Sequence, residues 1–463
     1  MRTLSKLAAG TALVLALTAT AHAGGFQRGT ADTDILFENG NFSSRAGLTY
    51  VNPNRGFTSV NGVSVDGGDY TGNYQIPSAS VMFGGEAFAC AGHYTESFAA
   101  EADYRGLPGG ALPQFANPAT PGITSRTQTI EFDSNEFGAT CRLSYTAEAG
   151  RFSLLGGIFF EDFNFQGSSL GERNLNAATG AAAPLLAGLG ANIILPSAVS
   201  VDSRGGYEMG YRIGLAYEKP EIALRIQGLY RSELEHDSIT GDGTVSITNS
   251  AFVRLANGQQ VSVPTFFSNP LLPLTPLQRA TLIGGLTTPA GGVPQAGTIL
   301  PVASALNTAT SPQSFTLSGQ TGIAEGTLLL ASIRWTDWST NGTVVSSISS
   351  PLLGSSATIQ PYNWRDGYTA SLGVGRAFNE TVAGSIAIGY DRGVSTGADT
   401  TYTDLYTLSG GISLRQSFAE LRVGGLIGYW TDGEQRVSDG AYFDATVGDD
   451  WVYGASASLK LTF

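Results

Sequence analysis

The sequence predicts an all-β protein, a transmembrane antiparallel β-barrel of about 14 strands, and three observations carry that prediction. The chain opens on a secretory leader, it is poor in charge, and apolar residues alternate with polar ones along runs of about ten residues, as strands of a membrane barrel require. Charged residues make up 14% of the 463 residues, against about 25% in soluble globular domains. Something other than a charged, water-facing surface must cover the fold. The 42% hydrophobic content also excludes a highly charged disordered chain.

The leader is read as residues 1–23. Arg2 and Lys6 form its positive end, residues 7–18 are apolar apart from small polar residues, and Ala21-His22-Ala23 has the small-x-small form of a cleavage site before Gly24. A membrane anchor needs about 20 apolar residues, more than are present. Cleavage leaves 25 − 2 = 23 basic and 38 acidic residues, a net charge of 23 − 38 = −15. That balance argues against nucleic acid as a partner, because phosphates are neutralised by a basic face. The uncharged run 174–201 is interrupted by Pro184, Pro196 and glycines, so it does not predict a spanning helix. Closed barrels are the other structure that satisfies every backbone group in lipid.

Alternation then places the strands. At the C-terminus Trp451, Tyr453, Ala455, Ala457, Leu459, Leu461 and Phe463 share one face, and Gly454, Ser456, Ser458, Lys460 and Thr462 share the other. Tyr207, Met209, Tyr211, Ile213, Leu215 and Tyr217 oppose Glu208, Gly210, Arg212, Gly214 and Ala216 in the same way. Charges keep company with Gly and Ser, opposite an apolar or aromatic face, which is the inside-polar arrangement of a membrane barrel. Such runs, bounded by turn residues, predict strands near 44–52, 74–83, 86–97, 128–146, 151–164, 205–218, 221–236, 313–323, 327–340, 361–376, 381–392, 402–414, 418–431 and 448–463. Short turns between alternate strands would face the periplasm and long connections the outside.

Two long connections, near 165–204 and 237–312, are read as apolar extracellular loops. Between Gly243 and Ala324 the only charges are Arg254 and Arg279, while Phe266, Phe267, Leu271 and Leu272 stand close together. Two readings stay open for these residues: self-packed loop cores, or capture of an apolar ligand. Thr275-Pro276 predicts the start of a short helix running to Leu286.

Cys90 and Cys141 fall on neighbouring predicted strands, where both a disulfide and two lipid-facing thiols are compatible with the sequence. Arg212, Arg225, Arg231, Arg334 and Arg422, with Glu208 and Glu420, are read as a charge network on the barrel wall. Arg231 or Arg334 would be the first choice to meet a ligand carboxylate. No metal site is expected from two cysteines and the widely spaced His93 and His236, and no cofactor is implied. Gly167-Ser168-Ser169-Leu170-Gly171 matches G-x-S-x-G but lacks the strand, elbow and helix that a nucleophile needs, so no catalytic residue is assigned.

Short motifs carry a family resemblance over essentially the whole mature chain. Gly25-Phe26-Gln27 and Asp34-Ile35-Leu36-Phe37-Glu38-Asn39, then Tyr230-Arg231-Ser232 with Glu235-His236, and Trp335-Thr336-Asp337-Trp338-Ser339 resemble segments of the FadL/TodX family of outer-membrane transporters for long-chain fatty acids and other hydrophobic compounds. The resemblance implies a bacterial outer-membrane barrel of fourteen strands with an N-terminal hatch, here residues 24–43 with Phe26 and Asn39, ahead of a barrel over 44–463. It implies passive uptake in which outer loops capture the ligand, the hatch rearranges, and the ligand leaves sideways at a kinked third strand into the membrane. The terminal Phe463 is similar to the signal read by the barrel assembly machinery. Asn39 is followed by Gly40-Asn41 where the family has Asn-Pro-Ala. A general diffusion porin for small polar solutes is the alternative reading.

Overall fold

The computed structural model describes residues 25–66, 68–113, 115–116, 122–288, 292–307, 309–350, 354–399 and 402–463. The leader read at residues 1–23 lies outside these. The principal strands, in chain order, are β1 (Phe42–Pro53), β2 (Tyr74–Gly84), β3 (Phe88–Asp103), β4 (Ile123–Ala147), β5 (Gly150–Glu161), β6 (Asn164–Asn174), β7 (Asn192–Arg204), β8 (Glu208–Lys219), β9 (Leu224–Arg231) and β10 (Ile239–Ile247). They continue with β11 (Ile299–Leu306), β12 (Ser314–Ala324), β13 (Thr327–Thr336), β14 (Thr343–Ser350), β15 (Gly354–Pro361), β16 (Gly367–Ala377), β17 (Val382–Arg392), β18 (Leu405–Gln416), β19 (Ala419–Trp430) and β20 (Asp450–Thr462).

Fourteen of these close a barrel. Antiparallel pairing runs β1-β2-β3-β4-β5-β8-β9-β12-β13-β16-β17-β18-β19-β20, and β20 returns to β1 with Ser43 opposite Thr462. Closure leaves no edge in the wall. Along β8 the outward Met209, Tyr211, Ile213 and Leu215 are exposed, whereas the inward Arg212 and Ala216 are buried. This apolar exterior is what lipid covers, and it accounts for the low charge. No helix among the described residues is long and apolar enough to cross a membrane.

The two connections expected as loops contain strands that extend the sheet. The upper half of β4 pairs with β6, and the ladder continues through β7, β10, β11, β14 and β15, a curved extension on the side of the long connections. The predicted strand 221–236 accordingly ends at Arg231, and 327–340 ends at Thr336. Outside this extension, helices α1 (Ala183–Gly188), α2 (Val263–Phe267) and α3 (Pro276–Thr287) cap its far end. Helix α3 starts where the sequence predicts, with a capping box between Thr275 and Gln278.

Candidate functional site

Cavities stack from the outer sheet into the lumen. The concave face of the extension encloses about 180 Å³. Its floor carries Val199, Val245 and Val302 interspersed with Ser168, Ser197 and Ser304, so it is smooth, small-residue and mostly apolar. The loop residues chosen from the sequence lie elsewhere. Phe267 and Leu272 are buried in a separate core with Leu186, Ile193, Val253 and Val263, Phe266 packs against that core half-buried, and Leu271 is 88% exposed. None of the four borders a described cavity. An apolar cluster that caps a sheet end lowers its free energy by leaving water.

Below the trough is an aromatic throat centred on Phe26. Its ring lies 4.6 Å from Phe132, 4.5 Å from Trp364 and 5.1 Å from Tyr402, with Tyr362 and Trp338 at 6.0 and 6.1 Å. Such edge-to-face packing adds to the area buried. Small cavities of about 50 and 100 Å³ border Phe26 from the outer side. Gly25 holds φ +59°, and a Cβ there would come within 2.6 Å of Trp338, so only glycine lets the chain enter the throat. Burial, with Asp399 nearby, pushes the Tyr362 hydroxyl well above the usual phenol range.

From Phe26 the N-terminal segment runs down inside the barrel. The ladder between β2 and β3 ends at Ser78 and Thr95. At the next residue, Pro77, the carbonyl faces β3 and accepts the Thr95 hydroxyl at 3.3 Å, while its nitrogen has no hydrogen to give. β3 also bulges at Ser97 against β4, between the pairs Glu96–Asn135 and Phe98–Ser134. The N-terminal segment takes the vacated edge: Arg28 N and Gly29 N donate to Ser97 O and Glu96 O, and Ala99 N donates to Phe26 O. Further on, Ile35, Leu36 and Phe37 pack against the inward Met82, Ala89, Ala91, Leu155 and Ala216.

Ion pairs fasten this segment to the wall. Asp32 meets Arg45 at 2.6 Å, Asp34 meets Arg225 at 2.7 Å, and Glu38 meets Arg45 at 2.9 Å and Lys460 at 3.0 Å. Higher in the lumen Arg212 pairs with Glu136, and Arg231 pairs with Glu136 at 3.2 Å and Glu161 at 2.5 Å. Its remaining nitrogen meets the carbonyls of Ser232 and Pro312, so Arg231 is held on the wall. Arg334 instead donates to Thr316 Oγ1 at 2.9 Å and to Gln27 Oε1 at 3.1 Å. The segment and the wall leave a lumen cavity of about 250 Å³ that Arg28, Arg334 and Phe98 border. Glu136, Glu161 and Arg28 were not singled out by sequence. Extending the inward face of β4 would have found Glu136.

Asn39 is exposed beyond the short helical turn Thr33–Phe37 and borders no described cavity. The glycine after it holds φ +107°, with a Cβ position 2.7 Å from Phe463 O. Proline, fixed near −65°, is incompatible with that turn. Cys90 and Cys141 stand directly opposite on β3 and β4 and are joined by a disulfide, Cα to Cα 4.0 Å. Ser168 lies in β6, with its hydroxyl 2.6 Å from that of Thr129, so the G-x-S-x-G match sits in a flat strand.

No family model matches the sequence, and no curated protein matches it. Solved structures do. The chain is similar to a Pseudomonas aeruginosa FadL homologue at 14% identity and a TM-score of 0.61, over 96% of this chain and 98% of that one. It is similar to the P. putida toluene transporter TodX at 14% and 0.57, over 93% and 92%, and to the Ralstonia pickettii toluene transporter TbuX at 13% and 0.54, over 93% of each. The fold is that of the FadL-family barrels.

Proposed function

We propose that this barrel is a passive outer-membrane channel for long-chain fatty acids or similar hydrophobic molecules. The observation that carries the reading is the succession of an apolar trough, an aromatic throat at Phe26 and a lumen occupied by residues 25–41 beside a wall interrupted at Pro77 and Ser97. A ligand gains about 0.8 kcal/mol for each CH₂ kept out of water, so an apolar route favours transfer from trough to throat over release. Residues 24–43 act as the hatch, with Phe26 as its outer end, and displacement of that segment from the β3 edge frees the way sideways into lipid. No chemical step is involved. The outer-membrane lipid receives the ligand, and the assembly machinery reads β20 through Phe463, which is exposed and stacks on Phe418 at 5.1 Å.

The neighbours are a FadL homologue and toluene transporters by description, consistent with a hydrophobic cargo and no enzyme. Purified protein in planar bilayers and in vesicles separates this reading from a diffusion porin. Binding and transfer of oleate with little steady ion conductance is expected. Large conductance without oleate binding would sink it.

A further inference from the structure

The cavity of about 100 Å³ on the outer side of Phe26 differs in chemistry from the trough and from the lumen. Half of the residues that border it are aromatic, against 10% of the chain. Two aromatic clusters meet there. Tyr70 lies 4.9 Å from Phe57 and 5.2 Å from Tyr104, and Tyr402 lies 5.9 Å from Trp430. Among the described residues that border the cavity, the charged ones are Glu101 and Asp399, and none is lysine, arginine or histidine. Asp399 is buried and accepts hydrogen bonds from Trp364 Nε1 at 2.5 Å and Ser395 Oγ at 3.0 Å. After burial, its charge is what raises the Tyr362 hydroxyl, so the field of the carboxylate reaches the cavity. Rings at this place already take cations. The Arg28 guanidinium lies 3.3 Å over Tyr74, and that of Arg55, balanced by Asp450 at 3.4 Å, lies 4.3 Å over Trp430. Neither arginine borders the cavity.

We propose that this cavity is a binding site for a quaternary ammonium head group, with Tyr70, Tyr104, Tyr402 and Trp430 as the cage and Asp399 as the counter-charge. Aromatic rings attract a cation most strongly where water is excluded. A trimethylammonium group has no N–H to satisfy, whereas a primary ammonium needs acceptors, and both oxygens of Asp399 are already engaged. A carboxylate head group would meet two negative charges here, so the box does not serve the acids of the proposed route. At about 100 Å³ the cavity is smaller than the roughly 300–1,000 Å³ that a whole drug-sized ligand fills, and it holds a head group alone. Thr127, Ile130, Gln360 and Tyr362 border both this cavity and the trough, so the alkyl chain of the ligand extends into the trough. The ligand class is a single-chain amphiphile with a cationic head. The site lies outside the lumen and does not depend on what the barrel passes inward.

The test compares choline with dimethylbutanol, its uncharged carbon isostere, by calorimetry on the full-length protein in a maltoside detergent, wild type beside Asp399→Asn and Glu101→Lys. A desolvated cage of this kind corresponds to roughly tenfold or more in affinity, and wild type is expected to prefer choline by that factor. Asp399→Asn is expected to lose most of the preference with dimethylbutanol binding unchanged. Should that variant fail to fold, by heat-modifiable migration on a gel, Glu101→Lys at an exposed position carries the same expectation. Octyltrimethylammonium is expected to bind roughly tenfold or more tightly than choline, and no gain would overturn the placement of the chain in the trough. Equal affinity of wild type for choline and dimethylbutanol, no binding of either, or a choline preference that survives in both variants overturns the site. A choline preference without any transfer of oleate sinks the proposed channel and leaves the site standing.

Discussion

Phe26 decides whether the outer cavities and the lumen communicate, since its ring closes the throat against Phe132, Trp364 and Tyr402. Phe26→Ala removes that stopper. The variant is expected to pass small ions in planar bilayers at several times the wild-type conductance, and an unchanged conductance would show that the closure lies elsewhere. Phe26 was legible in the sequence because it belongs to a recognisable opening motif. Arg28, two residues on, was not. A single arginine in a non-periodic segment carries no signal of burial, and its exposure is set by the bulge at Ser97 and the ring of Tyr74, which alternation cannot locate. Asn39 shows the converse, a motif residue that the fold leaves exposed while Gly40 takes up the sharp turn against Phe463.

At the scale of elements, the fourteen wall strands were readable because lipid enforces a two-residue period on one face. Strands β6, β7, β10, β11, β14 and β15 were not. Both their faces accept Ser, Thr, Gly and Val, so apolar contrast is weak, and their low charge reads equally as loop. The apolar loop residues mark the core that caps this sheet. Phe267→Ala is therefore expected to cost about 3–5 kcal/mol locally, seen as faster protease cleavage between residues 237 and 312. Leu271→Ala, at a position 88% exposed, is expected to change cleavage little. Equal sensitivity of the two variants would contradict the self-packed core.

At the scale of the molecule, low charge, a closed wall and an occupied lumen belong to one arrangement. Lipid covers the outside, ion pairs hold the N-terminal segment inside, and β3 has opposite treatment at its two ends. Cys90 and Cys141 tie it to β4 near the short-turn side, while beyond Thr95 its other edge has left β2 and holds residues 26–29 instead. In the proposed route the seam that opens is the one the N-terminal segment occupies, so displacement of that segment is the step the route requires. A reversible lock tests this most directly. Asp32 and Ser80 meet at 2.8 Å, so Asp32→Cys with Ser80→Cys, in a Cys90→Ala and Cys141→Ala background, can join the segment to β2. Oleate uptake by cells carrying this variant is predicted to be lost when the bond forms and restored on reduction. Undiminished uptake with the bond shown to be formed would contradict the account.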